Sequence, residues 1–231
     1  AVLMLFVTIV AGAVLGLVSG GIYVLLRIPP IITSLGVTLI YEGIMYTITN
    51  GKYVMAEVQN PSMSGFVGTW IYAAAIIVVV LILSIVIFDY TRFGYDYKAL
   101  KDGQKVAVNT GIREIPNTLI CYTICGALMG TVGFLNAARN TTINGGQLNF
   151  SSIAIMFTAF LPMFIGSYIS RYSNEKVGFL LAAVCMSLLN STFAVLSNVV
   201  TASMQSIINA VLLVVFLIYL NNEKLLVKIL F

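Results

Sequence analysis

The stretch YTRFGYDYKALKDGQKVAVNTGI, residues 90–112, is the longest polar run of the sequence, and strongly apolar segments lie on both sides of it. Of the 231 residues in the chain, 60% are hydrophobic and only 9% are charged, whereas an ordinary soluble domain carries about 25% charged residues. A soluble core cannot hide this much apolar surface, so lipid must solvate a large part of it. The composition therefore predicts an integral membrane protein.

Seven segments are as long and apolar as a membrane-spanning helix, which needs about 20 predominantly apolar residues. They lie at residues 2–21, 30–49, 66–88, 116–138, 150–169, 177–199 and 203–220. We therefore predict an all-α fold, a polytopic transmembrane helical bundle with about seven spans, in which residues 1–231 form one domain. The chain begins inside an apolar run that lacks a basic leader, so we expect further spans before residue 1.

The basic residues predict which ends of the helices face the cytoplasm. If the run at 90–112 is cytoplasmic, alternation of the spans leaves only Lys52 and Arg139 outside, and the other ten of the 12 Lys and Arg residues inside. The opposite orientation would reverse this ratio. Because cytoplasmic loops carry an excess of Lys and Arg, we predict that this run and the C-terminus are cytoplasmic.

Glycines at intervals of four mark helix faces that can approach a neighbour closely. One such face carries Gly12, Gly16 and Gly20, and another carries Gly126 and Gly130. Inside a bilayer, small residues let two backbones come together so that dispersion forces hold the helices. We expect these faces to pack within the chain, with a subunit interface as the alternative.

Composition excludes several kinds of active site. The chain has no histidine, which excludes imidazole acid–base catalysis and His-ligated metals. It also lacks the glycine-rich Lys-Ser/Thr loop that binds ATP phosphates. Cys121 and Cys125 share a helix face, but without histidine or a second cysteine pair we expect packed thiols rather than a metal site. The formal charge of +4 gives no indication of nucleic-acid binding.

Hydrogen-bonding side chains inside the predicted spans mark a candidate solute path. Glu42 is the one acidic residue well inside a span, where a charge costs about 2.5–3.5 kcal/mol on insertion scales. It should face a polar cavity, or else make a structural hydrogen bond between helices. Uncharged polar groups suit a neutral polar solute better than an ion, although Ser and Thr also bond to the preceding turn. The candidate path residues are Ser34, Thr38, Tyr41, Glu42, Asn136 and Asn190.

The centre of the polar run, YKALKDGQKVAVN, is compatible with a short helix that is interrupted at Gly103. Four apolar side chains lie among its charges: Ala99, Leu100, Val106 and Ala107. A soluble partner can grip such a surface, but a solvated amphipathic helix at the lipid headgroups would have the same pattern. The sequence pattern leaves both readings open.

Two stretches resemble the permease subunits of bacterial ABC importers of the ribose/simple-sugar type. In the polar run, the matching positions are Arg92, Phe93, Gly94, Ala99, Ala107, Gly111 and Ile112. The second stretch is RIPPIITSLGVTLIYEGI, residues 27–44, which matches at Pro29, Ser34, Leu35, Gly36 and Gly43. The resemblance covers most of the chain and is strongest at 27–44 and 90–139.

The resemblance implies that residues 90–115 form a cytoplasmic coupling loop, whose helix docks into a groove of a separate ATPase subunit. We refer to residues 90–115 as the polar loop. By this resemblance the residues that couple to the ATPase are Tyr97, Lys98, Ala99, Leu100, Gly103, Val106, Ala107 and Gly111. Catalytic, cofactor-binding and metal residues are not expected, since the ATP would be used by the partner.

Three departures from the family pattern limit what the resemblance implies. Lys101-Asp102-Gly103 replaces a Gly-Gly-Asn of the family loop, and Glu42 stands where the family often has arginine. The family's glycine-rich segment has become FLPMFIGSYISRYSNEKVGF at residues 160–179. The last two departures lie near the expected solute path, so the identity of the solute is not inherited.

We interpret the chain as the membrane-spanning subunit of an ATP-driven importer in a bacterial plasma membrane, for a sugar or nucleoside-like solute. The expected partners are two ATPase subunits, a second permease subunit, an extracytoplasmic solute-binding protein and the lipid bilayer. Three alternatives stay open: a branched-chain amino-acid ABC permease, an ATP-independent secondary carrier or channel, and a membrane scaffold. A secondary carrier needs its own coupling-ion site, and Glu42 alone is weak support for one.

Overall fold

The computed structural model describes residues 2–52, 54–55, 70–139, 142–143, 151–170, 175–196 and 202–221. Contacts divide the chain into two units, Ala1–Phe150 and Ser151–Phe231. Each unit is treated by itself below, and the expectation of one domain over residues 1–231 stays a prediction.

The described residues form eight helices, which confirms the predicted all-α fold. Five belong to the first unit: α1 (Val2–Leu26), α2 (Pro30–Thr49), α3 (Trp70–Tyr90), α4 (Arg92–Asn109) and α5 (Glu114–Arg139). The second unit contains α6 (Ser151–Ile169), α7 (Glu175–Val195) and α8 (Ala202–Asn221). The described β-structure is a two-residue antiparallel pair, β1 (Val54–Met55) with β2 (Thr142–Ile143), in the register Val54↔Ile143.

Every predicted span coincides with a helix. Within the described ranges, five helices are long and apolar enough to cross a membrane: Val2–Leu26, Pro30–Thr49, Ile71–Tyr90, Glu114–Ala138 and Lys176–Val195. In α6 and α8 the described apolar parts are shorter, Ala159–Ile169 and Ile207–Ile218. The predicted ends at 66–69, 150 and 197–199 lie outside the described residues. The chain is a multi-pass membrane protein.

Helix α1 continues five residues beyond the predicted end of the first span. Gly20 lies inside the helix, as the predicted span 2–21 requires, and is buried against α5, where a Cβ would come within 2.8 Å of the Tyr122 Cβ. The ring of Tyr122 also stacks on Tyr23, with centroids 5.5 Å apart. Tertiary packing therefore outweighs the low helix propensity of glycine at this position.

The first unit is organised around the contact between α1 and α5. A Cβ added at Gly16 would lie 2.9 Å from the Gly126 Cα, and one added at Gly126 would lie 2.7 Å from the Gly16 Cα. A Cβ at Gly12 would likewise be 3.0 Å from the Gly130 Cα. Side chains cannot occupy such positions, so the two backbones touch. This confirms that the glycine faces pack within one polypeptide.

The second unit packs α6 against α7, with α8 alongside α6. Among the side chains described in this unit, the buried apolar ones are Leu161 on α6 and Ala182 and Met186 on α7. The ring of Tyr168 meets Phe216 of α8 edge-on, with centroids 6.0 Å apart. In both units most large apolar side chains lie on the outside, as expected for helices that lipid solvates.

Replacing Gly126 by leucine should destabilise the protein, because the new side chain meets the α1 backbone. Overpacking of this kind costs about 1–3 kcal/mol, so the melting temperature in detergent should fall. The matched control is Gly133→Leu on the same helix, where an added Cβ meets nothing within 4 Å. Equal melting temperatures for the two variants would show that the α1–α5 contact does not hold the unit together.

Candidate functional site

Most of the polar loop is helical. Helix α4 occupies Arg92–Asn109, and its regular geometry is interrupted at Gly103, where φ is −169° and ψ is 83°. This confirms the predicted helix with a break at Gly103. The break divides α4 into a first half after α3 and a second half before α5.

The junction of α3 and α4 is a tight, well-capped corner. Thr91 has an extended backbone and caps α4, since its Oγ1 accepts a hydrogen bond from the Gly94 amide at 3.2 Å. The same hydroxyl donates to the Ile87 carbonyl oxygen. Gly94 is buried against the backbone of α3, and a Cβ there would lie 2.8 Å from the Ile87 oxygen. The corner therefore requires glycine at this position.

An aromatic cluster fixes the angle of this corner. The ring of Phe88 at the end of α3 lies 5.6 Å from Phe93 and 5.3 Å from Tyr97, both on α4. The Lys98 ammonium donates to the Asp89 carboxylate at 2.7 Å. Both side chains of that pair are partly exposed, so it contributes at most about 1 kcal/mol. Tyr97 and Lys98, predicted to couple to a partner, thus attach α4 to α3.

The second half of α4 turns back on itself before α5 begins. Gly111 has a left-handed backbone with φ of 96°, and its amide donates to the Val108 oxygen at 3.0 Å. The Ile112 amide donates to the Ala107 oxygen at 3.2 Å. Gln104 Nε2 donates to Glu114 Oε1 at 2.5 Å and so joins α4 to the first residue of α5.

The apolar residues of the loop differ in their availability to a partner. Val106 is 69% exposed, Ala99 and Leu100 are half-buried, and Ala107 is only 5% exposed. The expectation that Ala107 lies on a partner-facing surface is therefore wrong for this conformation. Its side chain is internal because the chain folds back over it directly after α4 ends. Of these four side chains, Val106 is the most accessible to a partner.

A cavity of about 780 Å³ lies between α1, α2 and α5. Three predicted path residues line it from α2: Ser34, Thr38 and Tyr41. The hydroxyl of Ser34 donates to Ile31 O at 2.9 Å, and that of Thr38 donates to Ser34 O at 2.7 Å. Both hydroxyls therefore keep acceptor lone pairs for a solute while their protons remain in the helix.

Tyr41 ties α2 to α1 across this cavity. Its hydroxyl lies 2.8 Å from the Leu15 carbonyl oxygen and 2.9 Å from Ser19 Oγ, and Ser19 Oγ is also 2.8 Å from the Leu15 oxygen. Each hydroxyl has one proton, so only two of these three contacts are hydrogen bonds at one time. The Tyr41 hydroxyl can therefore donate either to Leu15 or to Ser19 while α1 and α2 stay in contact.

Glu42 does not line this cavity. It follows Thr38 by four residues, which places it about 40° around α2 from that residue, at the edge of the face that lines the cavity. It is only 7% exposed, and neither carboxylate oxygen has a hydrogen-bond partner among the described residues. The structural hydrogen bond between helices that the sequence left open is therefore not formed here. A buried carboxyl without a partner is costly, which points to a donor that is absent from the described chain.

The other predicted path residues lie elsewhere. Asn136 is exposed on α5 and is not part of the cavity wall, and Asn190 is exposed on α7 in the second unit. The predicted path did not include the residues with which α1 and α5 complete the wall, among them Ser19 and Thr8 of α1 and Met129 of α5. The glycine periodicity could have identified this wall, since it shows which faces of α1 and α5 adjoin.

Asn117 is a second buried polar group that the sequence did not single out. It lies one turn into α5 and is 6% exposed, and both atoms of its amide lack a partner among the residues described. By helical spacing it shares a face with Ile124 and Leu128. Buried amides in proteins are normally hydrogen-bonded to protein or to ordered water.

Comparison with known proteins supports the resemblance predicted from the sequence. A family model described as "Branched-chain amino acid transport system / permease component" matches residues 1–218. The Autoinducer 2 import system permease protein LsrC of Photorhabdus luminescens is 25% identical over 198 residues, which cover 82% of this chain and 57% of that protein. LsrC of Klebsiella pneumoniae is 29% identical over 135 residues, covering 55% and 38%.

The ribose import permease protein RbsC of Escherichia coli is 24% identical over 227 residues, 92% of this chain and 66% of the relative. No solved structure matches the chain. The chain thus spans about half the length of the LsrC proteins that it matches. All these relatives are named as permeases rather than enzymes, which agrees with the prediction from the sequence. Because the family model covers most of its length, this chain belongs to the family of branched-chain amino acid transport system permease components.

Proposed function

We propose that this chain is the membrane-spanning subunit of an ATP-driven importer for a sugar or nucleoside-like solute. The observation that carries the proposal is the polar loop, a kinked helix bonded to α3 at one end and to α5 at the other, with Val106 exposed between basic residues. A simple connector needs neither the two attachments nor the exposed apolar side chain. An ATPase subunit that gripped this helix would move α3 and α5 with it.

The proposed assembly contains two ATPase subunits, a second permease subunit and an extracytoplasmic solute-binding protein in a bacterial plasma membrane. The ATP is used by the ATPase subunits, and this chain binds no cofactor. The polar loop and the C-terminus lie in the cytoplasm, which follows from the excess of Lys and Arg on that side.

The mechanism follows from the order in which the helices are joined. Motion of α4 passes to α5 through the hydrogen-bonded turn at residues 107–112 that joins the two helices, and from α5 to α1 through the glycine contact. Helix α2 is joined to α1 more loosely, through the exchangeable bonds of Tyr41. A displacement of α1 and α5 together therefore changes the cavity between them and α2. ATP drives this change only because its affinity differs between the two states.

The nature of the solute is argued from the relatives and from the site. The names of the relatives refer to ribose and to autoinducer 2, and the hydroxyl acceptors of Ser34 and Thr38 suit a hydroxyl-bearing molecule. Glu42, at the edge of the cavity-lining face of α2, has two carboxylate oxygens without a partner among the described residues, and these could also accept from such a molecule. A branched-chain amino acid is the second candidate, because the description of the family names that solute.

The two candidates are separated by uptake into proteoliposomes that contain the complete importer. We expect ribose or a nucleoside to inhibit the uptake of a radiolabelled sugar, and leucine at equal concentration to have no effect on that uptake. Inhibition by leucine alone would favour the amino-acid function.

Cysteine labelling tests the orientation. In a variant without the native cysteines, Gly103→Cys should react with a membrane-impermeant maleimide only from the cytoplasmic face, and Lys52→Cys only from the outer face. Labelling of both positions from the same side would contradict the predicted alternation of spans.

Substitution of Val106 tests the partner-facing surface. Val106→Asp places a charge in the proposed groove of the ATPase, where an unpaired buried charge costs several kcal/mol. The permease should fold normally because Val106 is exposed, while the ATPase should be lost on purification and uptake should fall. Lys101→Ala is the control and should act mainly at raised salt, since charges at a rim adjust association more than affinity.

If the Val106→Asp variant retains both the ATPase subunit and uptake, the polar loop is only a connector and the proposed ATPase contact is wrong. Ala107→Asp is not an equivalent test, because Ala107 is buried within the permease itself.

Glu42 is tested by two substitutions that separate solute binding from folding. Glu42→Gln should lower uptake at least severalfold while the amount of assembled protein stays unchanged, because the amide loses one acceptor. Glu42→Leu should abolish uptake and, if anything, increase stability, since the unpartnered carboxyl is removed. Normal uptake by Glu42→Leu would exclude Glu42 from the solute path.

A further inference from the structure

A second cavity, of about 550 Å³, lies between the α1–α2 turn and the junction of α4 with α5. On one side its wall is formed by Tyr23, Arg27 and Pro29, and on the other by Gln104, Glu114 and Thr118. Unlike the cavity among α1, α2 and α5, it has charged side chains. It also lies next to the kinked helix rather than inside the bundle.

Opposite charges line this cleft without forming a pair. Arg27 belongs to the α1–α2 turn and Glu114 is the first residue of α5, and within the part of the chain that the structure describes neither makes an ion pair. Glu114 accepts a hydrogen bond from the neutral amide of Gln104 instead, at 2.5 Å. A guanidinium is a stronger donor to a carboxylate than an amide is. The guanidinium of Arg27, which lines the same cleft, would therefore be a stronger donor to the Glu114 carboxylate than Gln104 is.

The backbone of Arg27 is a further observation. Arg27 terminates α1 with φ of 51°, and its amide donates to the Tyr23 oxygen at 3.1 Å. Helices commonly end in this left-handed conformation, but the residue is then usually glycine, since other side chains are strained there. The turn itself gives no reason for an arginine. The side chain of Arg27 lines the cleft, where a positive charge lies in the same cavity as Glu114.

We propose that Arg27 and Glu114 form an ion pair that closes this cleft in one state of the transport cycle, and that Gln104 holds Glu114 away from Arg27 in the other. The inference rests on the proposed function, because the two states are those of an importer driven by an ATPase. Gln104 directly follows the break at Gly103. Any motion of the second half of α4 relative to α5 therefore stretches the Gln104–Glu114 bond and releases the carboxylate.

The consequence is a defined role for three residues outside the solute cavity. When Gln104 withdraws, the Arg27–Glu114 pair joins the α1–α2 turn to α5. The turn carries the start of α2, so the closed cleft fixes α2 relative to α1 and α5 at this end of the bundle. Arg27, Gln104 and Glu114 are thus positioning residues that link the position of α4 to that of α2.

Charge reversal in the complete importer tests the pair. In proteoliposomes, Arg27→Glu and Glu114→Arg should each lower uptake at least fivefold while ATP hydrolysis continues, so that more ATP is hydrolysed per solute. The double variant should recover uptake to within about twofold of the unaltered protein. Arg113→Glu is the control for a general charge effect, because Arg113 adjoins Glu114 in sequence but does not line the cleft; it should not be rescued by Glu114→Arg.

Uptake by the double variant that equals the product of the two single effects would overturn the proposal, as would normal uptake by both single variants. If either reversal prevents folding, Arg27→Cys with Glu114→Cys in a cysteine-free protein replaces it. Oxidation should then cross-link the two positions at least fivefold more in one nucleotide state than in the other, and equal yields in both states would overturn the proposal. Loss of the ATPase from every variant and from the unaltered protein would defeat the proposed function instead.

Discussion

The contact between the backbones of α1 and α5 is the constraint on which the first unit depends. No side chain separates the two helices where Gly12 faces Gly130 and where Gly16 faces Gly126. Neither helix can therefore shift along the other without a steric collision. In a bilayer this closeness is the main source of cohesion, since lipid offers apolar side chains a solvent as good as another helix. Everything that α5 carries, from Glu114 to the cavity wall at Tyr122, is therefore positioned by α1.

The architecture could be predicted from the sequence because membrane insertion depends on composition summed over a whole segment. All seven spans coincide with helices, and the break in α4 occurs at Gly103 as expected. The glycine faces were also predictable, since spacing alone determines which residues share a side of a helix. The first helix ends at Leu26, five residues later than predicted, and in this extension Tyr23 stacks on Tyr122 of α5, a contact that the sequence does not reveal.

The candidate site could be predicted only in part. The sequence identified Ser34, Thr38 and Tyr41, which share a cavity, but it did not indicate that Glu42 would lie outside the cavity wall. Ala107 was expected to be exposed because apolar residues among charges usually mark a surface, and the turn that covers it depends on hydrogen bonds between residues 107 and 112. The Gln104–Glu114 bond joins residues ten positions apart across that turn. No local sequence pattern predicts a bond over this separation.

Helix α3 differs from its neighbours in having no buried side chain among those described, and its contacts are concentrated at the corner with α4. Much of its apolar surface is therefore exposed to the hydrocarbon of the bilayer. A bilayer thicker or thinner than its apolar length is accommodated by a change of tilt. The tilted and edge-on contacts among the rings of Phe88, Phe93 and Tyr97 make the corner stiff, so a change in the tilt of α3 rotates the first half of α4 as well. The length of the lipid acyl chains can thereby change the orientation of α4, the helix proposed to contact the ATPase.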